Sequence, residues 1–143
     1  MILSSAVKIS LLVSGLFLLN GMLTGIWKYR KIMSSPENKA PVYVDIAHRT
    51  SFFYSFASLV IAVLVNSSPF PERWRTLTVI VPLVYFIVTV GGYMREGFMD
   101  RTENIFREKN FVTTYFMYSL IAGEIVGFLL ILGGFVWTQF FSN

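Results

Sequence analysis

The chain has 143 residues, 55% of them hydrophobic, 17% aromatic and only 14% charged, with a net charge of +4, one histidine and no cysteine. Soluble proteins carry roughly 25% charged residues, so the shortfall excludes intrinsic disorder and an evenly solvated domain, and implies long stretches that never meet water. Without cysteine there is no disulfide scaffold and no thiolate-held zinc or iron–sulfur site.

Four apolar segments carry the excess, each near the ~20 residues that span a hydrocarbon core of about 30 Å. The first, Ile9–Trp27, follows Lys8 and contains Asn20. It lacks a small-x-small cleavage site before Trp27 and reads as a retained helix instead of a signal peptide. Lys28–Asp45 is a basic connection with Pro36 and Pro41, leading into the second segment, Ile46–Val65. A tight, proline-rich turn, Asn66–Arg73, precedes the third segment, Trp74–Met94. The most charged stretch, Arg95–Asn110, then leads to the fourth, Phe111–Trp137, which is long enough to tilt or protrude. Lipid cannot satisfy backbone polar groups, so these runs must be helices. They are continuous and too long for barrel strands. Trp27, Trp74 and Trp137 fall at segment ends, as in an aromatic belt. The expected fold is all-α: one transmembrane domain over residues 1–143, built as a four-helix bundle.

Basic residues set the orientation. Lys28, Arg30, Lys31, Lys39, Arg49, Arg95, Arg101, Arg107 and Lys109 lie in or beside the first and third connections, against Lys8, Arg73 and Arg75 at the other end. The positive-inside rule places connections 28–45 and 95–110 in the cytoplasm and both termini outside. Topology also accounts for the positive charge, so it makes no case for nucleic acid.

His48 lies in the first turns of helix two, three residues after Asp45. A neutral imidazole there could ligate a metal or haem iron, act as acid or base, or hydrogen-bond a lipid headgroup. Ser51, Phe52, Ser55 and Leu59 share its face, a stripe better suited to a protein or ligand contact than to lipid. Tyr93 ends helix three at the same depth, where an aromatic-belt role is the plain alternative. Glu124, in the middle of helix four, costs at least about 2.5–3.5 kcal/mol on insertion scales and must face the bundle. By depth Asn20 is its expected partner. Gly21-x-x-x-Gly25 and Gly123-x-x-x-Gly127 suggest a close interface between helices one and four or between protomers. Glu96, Asp100, Glu103 and Glu108 alternate with basic residues and read as a solvated ion-pair loop; a two-metal carboxylate site would need more than one histidine. No phosphate loop, GxSxG elbow or paired-histidine zinc motif occurs.

With these residues placed, the chain resembles the membrane-bound styrene oxide isomerase family, small four-helix proteins that trimerise and bind haem b between protomers. The family's Ala-His pair opening helix two is matched by Ala47-His48. Its tyrosine forty-five residues later, in a Val-Gly-aromatic-Tyr-like segment, is matched by Val90-Gly91-Gly92-Tyr93. The Gly-x-x-Trp-like end of helix one has a counterpart at Gly25, Ile26 and Trp27. The resemblance implies a homotrimer in a bacterial-type inner membrane, with His48 as axial iron ligand and Ser51 and Ser55 on the cofactor's side. It implies ferric haem as a Lewis acid turning a small apolar epoxide, such as an aryl epoxide, into an aldehyde or ketone with no net redox change. Tyr93 would orient the substrate oxygen.

One position departs from the family. Six residues after the histidine, where the family has a substrate-positioning asparagine, this chain has Tyr54, which would shape the distal side or approach the iron itself. Two other functions therefore stay open: a non-catalytic membrane haem sensor or haem carrier, and a small structural subunit of a membrane complex in which His48 lies at the interface.

Overall fold

A computed structural model describes residues 3–107 and 109–142. The described chain is helical throughout: α1 (Ser5–Ser34), α2 (Val42–Asn66), α3 (Glu72–Met99), a short 3₁₀ turn at Ile105–Arg107, and α4 (Met117–Val136). α4 is prolonged by π-helical turns at Val112–Phe116 and Trp137–Phe141 into one rod, Val112–Phe141. Four helices are thus long and apolar enough to cross a membrane, and the chain has the layout of a multi-pass membrane protein. Its surface agrees, because Leu12, Leu16, Leu19, Phe53, Phe56 and Val63 are all exposed. In water such a surface would drive aggregation; in lipid it is the proper face.

The helices overrun the apolar segments. α1 continues from Trp27 through Lys28–Ser34, and α3 continues from Met94 to Met99. The membrane ends where side chains turn polar, but the backbone keeps its helix until a breaker intervenes. On α1 the break comes at Ser35, just before Pro36, so the first connection shrinks to Ser35–Pro41. α3 ends at Asp100, whose left-handed backbone (φ 49°) directs its N–H to the Glu96 carbonyl at 2.8 Å. A short polar residue tolerates this conformation at a helix C-terminus.

α1 and α4 occupy opposite flanks of a central pair, α2 and α3; α1 packs on α2 and α3, and α4 on α3 and α2. The apolar core joins Ala6, Val7 and Phe17 to Ile61, Val65, Val79, Leu83, Phe86, Val90 and Ile131. The α1–α2 seam is different, lined by the buried hydroxyls of Ser10, Ser14, Ser51, Ser55 and Ser58. Ser14 and Ser55 exchange hydrogen bonds, each hydroxyl donating to the other's carbonyl at 2.9 Å. Small side chains let these helices approach closely, and the bonds fix their register.

The two glycine pairs do not form one α1–α4 interface as their spacing suggested. Gly21 and Gly25 face side chains of α2, whereas Gly123 and Gly127 face Tyr85 and Pro82 of α3. Pro82 deprives the Thr78 carbonyl of its helical N–H donor. Gly127 lies opposite, where a Cβ would stand 3.0 Å from Pro82 Cδ and 3.5 Å from Thr78 O. The proline therefore packs directly against α4 backbone.

Candidate functional site

The end of the bundle shared by the α1 C-terminus, the α2 N-terminus and the α3 C-terminus holds most of the singled-out residues. Asp45 organises it. Its carboxylate takes Lys28 Nζ from α1 at 2.6 Å and Arg49 Nη2, one turn along α2, also at 2.6 Å. This clamp ties α2 to α1 beside His48.

His48 lies half-buried against α1. Its Nδ1 is 2.9 Å from the Gly21 carbonyl, and a carbonyl only accepts, so Nδ1 carries the proton. That fixes the tautomer with the lone pair on Nε2, for which no protein partner stands among the described residues. The ring fits because α1 has no side chain beneath it. A Cβ on Gly25 would stand 3.0 Å from His48 Cε1, and one on Gly21 would stand 2.9 Å from Phe52 Cε1. Phe52 in turn meets the imidazole edge-on, with centroids 5.2 Å apart. The glycine cradle is the part of the site that sequence reasoning missed. Its signal was present in two glycines one turn apart on α1.

Ser51 and Ser55 share the His48 face, and both hydroxyls are engaged in the α1–α2 seam. Ser51 Oγ accepts from Asn20 Nδ2 at 2.9 Å and donates to the Ala47 carbonyl at 2.7 Å. Asn20 is therefore bound to Ser51 and not to Glu124, because α1 and α4 are not neighbours. Glu124 meets α2 instead, where the Tyr54 hydroxyl donates to Oε1 at 3.5 Å.

Tyr54 lies on a different face of α2 from His48. Six residues at 100° each put it about 120° round and roughly 9 Å deeper. Its ring stacks on Phe86 with centroids 3.9 Å apart and planes within 9°. Tyr93 also lies away from the imidazole, stacked on Tyr43 at 6.0 Å. Tyr43 in turn accepts the Ile105 backbone N–H at 2.6 Å, which pins the third connection over the bundle. There Glu96 pairs with Arg95 at 3.3 Å and Arg101 at 3.5 Å; Glu108 lies outside the described residues.

Among the described residues no three His, Asp or Glu side chains gather to hold a metal ion. One tautomer-fixed imidazole is the donor set that a metal bringing its own equatorial ligands requires, and haem iron is such a metal. The nearest cations, Lys28 and Arg49, are both committed to Asp45. The one observation here that suits a haem is the Nε2 of His48, unpartnered among the described residues, the atom that would take the iron. No known family model, curated protein or solved structure matches this chain.

Proposed function

We propose that this chain is a haem b-binding membrane protein of the styrene oxide isomerase type, holding the iron through His48 and isomerising a small apolar epoxide to a carbonyl compound. The observation that carries the reading is the His48 Nδ1 bond to Gly21, which presents Nε2 as a ligand of fixed orientation. A bound ferric haem would supply a Lewis-acidic centre for the epoxide oxygen. The chain's own residues do the rest. Gly21 and Gly25 hold the imidazole, the surrounding membrane would exclude the water that would trap a developing carbocation as a diol, and the Tyr93 hydroxyl would orient the substrate oxygen. Within one chain Tyr93 stacks on Tyr43 and not on the imidazole, so in this reading His48 and Tyr93 come together in a site between copies. A homotrimer supplies such an interface, in a bacterial-type inner membrane with both termini outside.

A second reading, a haem carrier or sensor without catalysis, is favoured by Tyr54. Its hydroxyl is directed to Glu124, away from the His48 face, so no group on α2 replaces the family's substrate-positioning asparagine. The test is an absorption spectrum of the detergent-purified protein and of His48→Ala. The proposal expects a Soret band that is lost or shifted in the variant, and aryl epoxide turnover to aldehyde by the wild type. A Soret band without turnover leaves the carrier. No Soret band after haem reconstitution refutes both and leaves a structural subunit.

A further inference from the structure

We infer that the groove between α2, α3 and α4 around Glu124 is a binding site for a lipophilic cation, a monovalent ammonium or phosphonium carrying aryl groups. The groove holds about 510 Å³ and is lined by Tyr54, Phe56, Phe86, Glu124 and Phe128 among aliphatic neighbours. This volume falls within the roughly 300–1,000 Å³ of small-molecule sites. Its polar groups are the Glu124 carboxyl and the Tyr54 hydroxyl.

The chemistry of those two groups selects the ligand. The hydroxyl proton of Tyr54 is directed to Glu124 Oε1, so the pair presents acceptor oxygens to an occupant. The helical N–H groups of α2 and α4 at this depth are taken by their own carbonyls, and no Lys, Arg or His among the described residues pairs with Glu124. A carboxylate this deep is costly until a positive charge meets it. Phe56 and Phe128 lie exposed at the mouth, and aromatic faces attract cations through their quadrupoles. Without a positive charge the carboxyl holds its proton; a lipophilic cation takes the proton's place, releasing it on binding, and meets the rings and the apolar walls together. Tyr54 and Glu124 each lie twelve residues from the mouth end of their helical rods, which start on the same side. The site is thus roughly 18 Å along the helices from that end, open sideways to the membrane, where such cations partition.

This inference does not rest on the haem reading. It is tested by equilibrium dialysis of radiolabelled tetraphenylphosphonium against the full chain in a neutral maltoside detergent. The expected result is saturable binding that weakens at least tenfold in Glu124→Gln, a variant that keeps an acceptor for Tyr54. Binding should be unchanged in Glu103→Gln, which removes an exposed acid, and uncharged triphenylphosphine oxide should not compete. Ala57→Phe, which fills the groove while keeping the carboxyl, should also abolish binding, which decides the matter if Glu124→Gln does not fold. Absence of saturable binding, equal binding in Glu124→Gln, or equal competition by the phosphine oxide would each overturn the assignment. The Soret spectrum of Glu124→Gln reads the haem site separately, so the two proposals fail independently.

Discussion

Replacing Gly25 with alanine tests the cradle that fixes the imidazole. The added Cβ would stand 3.0 Å from His48 Cε1 and 3.4 Å from Nδ1. Carbon atoms pack best at about 3.5–4.0 Å, so the ring must retreat by roughly 0.5–1 Å. The Nδ1 bond to Gly21 is 2.9 Å long, and the same displacement carries it toward the distance of about 3.6 Å at which a hydrogen bond no longer exists. Overpacking costs about 1–3 kcal/mol, of which the lost bond accounts for about 0.5–1.5 kcal/mol. Alanine regains about 0.8–1 kcal/mol of helix propensity. The comparator is Gly15→Ala, where a Cβ meets nothing within 4 Å and only the propensity gain applies. The two variants should therefore differ by about 1–3 kcal/mol, at roughly 2–4 °C per kcal/mol in thermal melts for a chain of this size. Nitrogen NMR of the sole histidine supplies the second readout, with the Nδ1–H tautomer dominant in the wild type and eroded in Gly25→Ala. Equal melting of the two variants, with the tautomer unchanged, would refute the cradle.

Two further outcomes follow from other contacts. Asn20→Leu removes the donor to Ser51 across the α1–α2 seam and should cost about 0.6 kcal/mol, up to about 1.7, measured by unfolding in mixed micelles; a variant as stable as the wild type would show the bond to be idle. Tyr43→Phe removes the acceptor of the Ile105 N–H and should speed tryptic cleavage at Arg101 and Arg107 several-fold while leaving helicity unchanged. Unchanged cleavage would mean that the connection is held by other contacts.

The sequence shows the fold best where the physics is one-dimensional. Run length and apolarity alone identify four spans, since a continuous apolar run of this length satisfies its backbone in lipid only as a helix. Helix ends are less legible. Trp27 marks where lipid stops, yet Lys28–Ser34 are competent helix formers and the chain winds on until Pro36 approaches. Pairings are least legible, because depth is only one of two coordinates. Asn20 and Glu124 suit each other by depth, but partnership also requires adjacent helices and facing sides. α1 and α4 are separated by the central pair, so Asn20 meets Ser51 and Glu124 meets Tyr54. The histidine stands out as the lone imidazole at a mouth. Its anchor is a backbone carbonyl, which carries no side-chain signature, and only the two glycines mark the place. The same geometry explains why His48 and Tyr54, six residues apart, serve different faces: the sequence interval that a motif records corresponds to about a third of a turn of rotation.

The contact between Pro82 and Gly127 bears on how this chain can change over evolution. A Cβ at 127 would stand 3.0 Å from the Pro82 ring, tighter than ordinary van der Waals contact, so a side chain there would push α4 away from the proline. The two positions are therefore expected to be inherited as a pair. Descendants that keep the proline should keep glycine at 127, and those that replace the proline restore the N–H and free position 127 to take alanine or serine. An aligned set of relatives would show the pair as correlated substitution between α3 and α4, a record of which helices touch that is readable without coordinates.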